Sequence, residues 1–251
     1  MNNHFKIIIP YYNVEKWIKR TIRSIKAQNY KNYECILIDD MSTDNTLNIV
    51  KQEINNDKRF CMINNTEKKY ALKNINDALA ATQPKETDII ILLCGDDWLA
   101  SPDVLNILDE TYNSKKCWTT YGSYIDYPAN VRGKFAKKGL TLVQEEGSYR
   151  QAEWVYSHLR TFKFKLWEKI DKKDLIFSQT NKHYKAAWDL ATTYPMLEMA
   201  GKKAIYIKDI LYVYNRANPL NEDKINHEIQ LAEEKEIRQK LKYSSLIRLQ
   251  D

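Results

Sequence analysis

An α/β fold, with a mainly parallel sheet covered by helices on both faces, is what the sequence predicts. Two observations carry that expectation. Over the first 113 residues, short runs of branched apolar residues alternate with segments of helical periodicity in the order βαβαβαβα. That order is the signature of parallel strands joined by crossover helices. The run DIIILLC (88–94) is continuously apolar rather than alternating, as strands buried on both faces are. A C-terminal helical extension completes the expected architecture.

FKIIIP (5–10) predicts the first strand, ending at Pro10. VEKWIKRTIRSIKAQ (14–28) places Trp17, Ile18, Ile22 and Ile25 along one helical face. YECILID (33–39) is the second strand, broken by DMSTD. There Ser42, Thr43 and Asp44 offer capping oxygens to a helix over 46–54. RFCMIN (59–64), ALKNINDALAA (71–81) and DIIILLC supply a strand, a helix and the fourth strand. PDVLNILDETYN (102–113) follows as a helix, with Pro102 suited to its first turn. Beyond it, CWTTYGSYIDY (117–127) reads as a strand and 128–148 as a long loop, of the kind that often serves as a lid. AIYIKDILYVYN (204–215) reads as a strand pair turning at Lys208 and Asp209, and 228–249 as an amphipathic helix.

Composition narrows the function classes. Thirty-nine basic residues stand against 33 acidic ones. Lysine is spread along the chain with no basic patch interleaved with aromatics, so a nucleic-acid partner is not expected. None of Cys35, Cys61, Cys94 and Cys117 forms a CxxC pair, which argues against zinc. Buried reduced thiols, no visible signal peptide and no apolar run long enough to span a bilayer make a cytoplasmic location the expectation.

In open sheets of this kind, ligands bind outside the carboxyl ends of the strands. Three polar clusters stand there: PYYN after the first strand, DDMSTD after the second and GDDW after the fourth. Asp96 and Asp97 suit a hard divalent cation, Mn²⁺ or Mg²⁺, that takes its other oxygens from water and substrate phosphate. On that stretch alone an acidic cap for the helix near Pro102 explains them equally well. Continued strand geometry puts Cys94 and Asp96 on one face and Asp97 on the other. The company of PYYN and DDMSTD favours the site.

These segments, from IIIPYYNVEKW through ILIDDMSTDNT to the fourth-strand GDD, resemble the inverting family 2 glycosyltransferases of GT-A fold. The likeness covers residues 5 to 113 well and resumes more weakly over 184–215. It implies a GT-A domain over 1–220, with a nucleotide-binding half (1–125) and an acceptor half (126–220), and a C-terminal helix over 221–251. It implies a nucleotide-sugar donor, of UDP type, and a glycan or other hydroxyl acceptor. Pro10, Tyr12 and Asn13 would line the base pocket, with Tyr12 stacked on the base and Asp39 accepting a hydrogen bond from it. Asp40, Ser42 and Asp44 would shape that loop, and Lys73 would lie near the nucleotide. Asp96 would bind nucleotide and metal. Asp97, Trp98 and Trp188 would lie near donor or acceptor. Asp189, at a predicted helix start, would be the base, with Glu198 a distant second. Cys94 departs from the family pattern, which has a carboxylate there; a thiol suits a hard ion poorly.

Weaker readings complete the expectations. His158 and His183 are improbable metal ligands, and SHLRTFKFKLWEKI (157–170) is a basic edge able to meet phosphate or acceptor. The C-terminal helix is expected to pack on the domain or dimerise, with peripheral membrane contact the lesser alternative. The competing function is a nucleotide- or glycan-binding module on the same fold that has lost turnover, for which Cys94 argues. A sugar nucleotidyltransferase would need a glycine-rich, arginine-bearing loop after the first strand, and PYYNVEKW has none.

Overall fold

Four parallel strands form one half of the sheet in the computed structural model, which describes residues 2–249. They are β1 (Phe5–Tyr11), β2 (Tyr33–Asp39), β3 (Phe60–Asn64) and β4 (Ile89–Leu92), in the spatial order β3-β2-β1-β4. The helices between them are α1 (Ile18–Lys26), α2 (Thr46–Ile54) and α3 (Tyr70–Thr82). Next come β5 (Trp98–Leu99), α4 (Val104–Lys115), β6 (Thr119–Tyr127), β7 (Val131–Arg132), α5 (Thr141–Glu146), β8 (Thr161–Lys163) and α6 (Phe164–Glu168). A small hairpin, β9 (Ile176–Phe177) and β10 (Lys182–His183), precedes α7 (Trp188–Ala200) and β11 (Ala204–Asn215). Two helices, α8 (Glu222–Ile225) and α9 (His227–Gln239), follow.

The sheet continues from β4 through β8, β6 and β11 to β5. β8 runs antiparallel to β4 and β6, and β5 antiparallel to β11, while β6 and β11 are parallel. Alternation along β1 splits the core in two. Phe5, Ile7 and Ile9 pack with Ile18, Ile22 and Ile25 of α1 and Val104, Leu105 and Leu108 of α4. Ile8 joins Ile36, Ile38, Ile90 and Leu92 against Leu72, Ile75 and Leu79 of α3 and the buried face of α7. A sheet buried on both sides is thus observed, as expected from its apolar strands.

The second half differs from its sequence reading in three places. Residues 204–215 form one continuous strand, not a pair. Lys208 and Asp209 are the exposed residues of a register shift between Ile207 and Ile210, so the extra length is absorbed by a bulge. The segment 128–148 is not a lid. It carries β7 and α5 and is pinned to β6, with Arg132 Nη1 donating to Ser123 Oγ at 2.8 Å and Gly139 N to Tyr121 Oη at 3.1 Å. The last long helix ends at Gln239, not 249. Beyond it the chain turns onto the end of α7, with Tyr243 N donating to Glu198 Oε2 and Leu246 N to the Met199 carbonyl. α9 packs against α7 and buries Glu233 and Ile237. Among the described residues, no helix is long and apolar enough to cross a membrane.

Candidate active site

A cleft of about 700 Å³ opens at the carboxyl ends of β1, β2 and β4. The ends of these strands are tied together by the backbone. Asp40 N donates to the Tyr11 carbonyl and Gly95 N to the Pro10 carbonyl. Gly95 is required by this approach: a Cβ there would lie 2.3 Å from Tyr11 Cβ. The GDD turn can therefore sit against β1 only because residue 95 has no side chain.

Pro10 and Tyr12 line the cleft, and Tyr12 is 38% exposed, its ring covered by the Lys68 ammonium. Asn13 does not line it. In a left-handed backbone conformation (φ 50°), it staples the first loop to the second, its Oδ1 accepting from Thr43 N at 2.7 Å. Asp39 is buried away from the lining, where its Oδ1 accepts from Ser42 N at 3.1 Å. The carboxylate that does line the cleft is Asp40. It accepts from the backbone N–H of Lys69 and Tyr70 (2.8 and 2.9 Å) and from Asn65 Nδ2 (3.0 Å). Burial pushes Asp40 up, but these bonds outweigh it and hold the carboxyl below its ordinary range. Lys73 turns away to Asp77 on its own helix, and Lys68 is the cation over the cleft.

Strand geometry stops at Leu92, and residues 94–97 form a turn closed by Asp97 N donating to the Cys94 carbonyl. Cys94, Asp96 and Asp97 therefore all border the cleft; Asp97 does not point away, because the alternation ends before it. Asp97 is the floor. Both its oxygens are taken, by Tyr212 Oη and by Asn215 N at 2.7 Å. Asp96 is partly buried and accepts from Asn218 Nδ2 at 2.6 Å. Trp98 lies outside the cleft, buried under Arg20 and edge-on to Tyr127.

The opposite wall is the start of α7. Trp188 and Asp189 line the cleft, with Asp189 in the first helical turn. Arg160, one residue before β8, donates from Nη1 to Asp189 Oδ2 at 2.9 Å and stands 5.2 Å from the Trp188 ring centre. α9 fixes this helix start from outside. Glu233, 2% exposed, accepts from three successive backbone N–H groups, those of Lys185, Ala186 and Ala187, at 2.7 to 2.8 Å. An anion at a helix N-terminus is stabilised there by the helix dipole as well as by the bonds. The segment between β11 and α9 borders the same cleft through Asn218, Leu220 and Ile225, and α9 itself through Gln230. Sequence reasoning left Arg160 among the residues of a basic edge and did not single out Glu233 or Asn218. Their roles rest on contacts 15 or more residues away in the chain, which no local pattern records. Glu198, the second candidate base, is locked in a buried ion pair with Arg150 and is not at the cleft.

The donor set tells which metal site these residues fit. Burial, with Asp97 and Asp96 nearby, pushes the Cys94 thiol well up, so it stays protonated and is no ligand for a hard ion. Asp97 has no free oxygen. His158 lines the cleft, stacked on Tyr212 at 4.4 Å; burial, reinforced by Arg160, holds it neutral. His183 lies in β10, outside the cleft lining. Among the described residues no group of three potential ligands could hold an ion unaided. Asp96 fits a shared site. Burial raises its carboxyl, a penalty that a cation beside it would offset. One carboxylate with substrate phosphates is enough for Mg²⁺ or Mn²⁺.

Residues 6–189 match the family described as Glycosyl transferase family 2. Glycosyltransferase GlyG of Streptococcus pneumoniae is 25% identical over 228 residues, covering 86% of this chain and 72% of its own. The UDP-Glc:alpha-D-GlcNAc-diphosphoundecaprenol beta-1,3-glucosyltransferase WfaP of Escherichia coli is 31% identical over 130 residues, 52% of this chain and 50% of its own. The crystal structure of S. aureus TarS 1-349 in complex with UDP-GlcNAc shares the fold with a TM-score of 0.66 at 18% identity, covering 88% of this chain. Mannosyltransferase PcManGT from Pyrobaculum calidifontis, in complex with GDP-Man and Mn²⁺, gives 0.57 at 18% identity over 85% of this chain. This chain spans 60% and 57% of those two solved chains.

Proposed function

The chain belongs to glycosyl transferase family 2, and we propose that it moves a sugar from a UDP-type nucleotide sugar to a hydroxyl acceptor by a single displacement that inverts the anomeric carbon. The observation that carries this reading is one cleft bordered by Asp96 on one wall and the Arg160-paired Asp189 on the other. Pro10 and Tyr12 hold the base, with Tyr12 as the stacking face. Asn13, Asp39 and Asp40 act behind that surface by fixing the loops that shape it. The names of relatives that act on or are solved with UDP sugars support the uridine assignment. Asp96 would hold a Mn²⁺ or Mg²⁺ ion, whose chemistry is to neutralise charge on the leaving diphosphate. The acceptor oxygen bonds to the anomeric carbon, the bond from that carbon to the diphosphate oxygen breaks, and the acceptor proton passes to Asp189. Arg160 holds Asp189 in place through its hydrogen bond, and Trp188 offers an apolar face to a sugar ring.

Cys94, neutral where the family has a carboxylate, favours the rival reading of a binding module without turnover. One screen separates them: hydrolysis and transfer from UDP-, GDP- and dTDP-sugars, with Mn²⁺ and with chelator. Metal-dependent turnover of one donor is expected. Nucleotide binding with no turnover of any donor, with glycan acceptors present, would establish the module instead.

A further inference from the structure

Arg160 carries more hydrogen-bonding capacity than its ion pair uses. Its side chain is almost fully buried and lines the cleft, with 5% of the residue exposed. A guanidinium has five donors in a rigid fork. Here one bond is made, from Nη1 to Asp189, and Nε is buried with no partner at all. A buried donor left without an acceptor is destabilising. No acceptor among the described residues meets it. Trp188 presents an aromatic face, and both oxygens of Asp97 are already held by Tyr212 and Asn215. Lys185 adds a second cation on the same wall, its Nζ bonded to the Asn226 amide oxygen rather than to a carboxylate. Carboxylates share that wall as well, Asp189 and the cleft-lining Glu222 beside Lys185, so the unpartnered Nε, and not a surplus of charge, is what sets Arg160 apart.

We propose that the Nε/Nη2 edge of Arg160 is a phosphate-binding fork. It takes two oxygens of a substrate phosphate while Nη1 stays on Asp189. This rests on the glycosyltransferase reading and deepens it. The fork pattern matches phosphate or carboxylate side-on, and a nucleotide-sugar cleft supplies phosphate. The phosphate has two sources, the donor's diphosphate or a phosphate carried by the acceptor. One residue would thus touch both the substrate anion and the proton-accepting carboxylate. A lysine could keep the charge and the Asp189 pair, but it has no fork.

The test uses the full chain with chelator present, so that no divalent ion contributes. Calorimetry compares wild type, Arg160→Lys and Arg160→Gln, each checked for an unchanged melting profile. UDP and uridine are titrated first, then inorganic phosphate into UDP-saturated protein. A loss of about tenfold or more in UDP affinity in R160K, with uridine binding unchanged, places the donor's diphosphate on the fork. Unchanged UDP affinity with loss of inorganic phosphate binding to the UDP-saturated protein places an acceptor phosphate there. If R160K, folded, binds both phosphate ligands as the wild type does, or loses UDP and uridine equally, the fork is not a phosphate site. The glycosyltransferase reading is decided separately, by wild-type turnover in the donor screen; a wild type that binds UDP through Arg160 but transfers nothing would sink that reading and leave the fork standing.

Discussion

The two walls of the cleft are built in different ways. On the nucleotide wall each polar cluster directly follows its own strand, and the clusters are joined by short bonds between neighbouring strand ends, such as Asn13 to Thr43 and Gly95 to Pro10. On the facing wall the ties that matter come from far along the chain. Asp189 is oriented by Arg160 from the antiparallel arm of the sheet and by Glu233 from α9, and α7 is further anchored by the buried Arg150–Glu198 pair. The first wall is a product of the fold class; the second is assembled by buried charges brought together from 29 to 48 residues apart in the chain. Changes that reach the surface of the first wall should therefore weaken nucleotide binding, and changes on the second, the phosphate edge of Arg160 apart, should cost transfer or stability.

The sharpest test of that division is Asp189→Asn. Transfer is expected to fall by about 10²–10⁴-fold, with UDP affinity unchanged by calorimetry. Equal losses in both would erase the distinction between the walls.

Arg150→Met comes next. It strands Glu198, whose side chain is wholly buried, and removes the bond from Arg150 Nη1 to the Ile237 carbonyl. A loss of about 3–5 kcal/mol in chemical denaturation is expected. Arg150→Met with Glu198→Leu should recover most of it, because no uncompensated charge remains. A double variant as weak as the single would mean that the lost contact with α9, not the charge, governs stability there.

Glu233→Gln is a smaller perturbation of the same wall. The amide keeps one acceptor oxygen for three backbone donors, at a cost of about 1–3 kcal/mol. Because those donors lead directly into the turn carrying Asp189, kcat should fall while KM for the donor holds. A melting shift with unaltered kcat would reduce Glu233 to a structural brace.

The mildest effect belongs to the nucleotide wall and depends on pH. The carboxyl of Asp40 lies below its ordinary range when folded, so its stabilisation is present above the unfolded value of about 3.9. It disappears as pH falls through the lower folded value. Asp40→Asn should therefore lower stability by about 1 kcal/mol at pH 7, and the gap to wild type should close as the pH drops below the carboxylate range. A gap independent of pH would show that the charge of Asp40 contributes nothing.

The same contrast explains what could be read in advance. β2 and α2 fall where their apolar residues put them, although the N-cap of α2 is Asn45, without a side-chain cap bond, rather than Ser42, Thr43 or Asp44. Asp96 was singled out by its place at a strand end and Asp189 by the family resemblance, and both border the cleft. Lys73 was not: an i,i+4 carboxylate at Asp77 draws it away, and Lys68, two residues before the helix, lines the cleft instead. The strand pair expected over 204–215 failed because a charged Lys-Asp step looks alike in a turn and in an exposed bulge. The helix end at Gln239 was hidden for another reason. The polar residues after it are drawn off by Glu198 and Met199 on α7, partners invisible to helical periodicity.

Asn218 and Glu233 lie on one continuous stretch of chain, the former bonded to Asp96 and the latter capping the entry to α7. That stretch is a tether between the Asp96 end of the cleft and the Asp189 end. A ligand that parts Asn218 from Asp96 shifts the free energy of the tether. To whatever extent the shift reaches α9, it changes the affinity at Asp189 by a factor that the second ligand must return to the first. Thermodynamic linkage of this kind shows itself as cooperativity between the two ligands, measurable from either one.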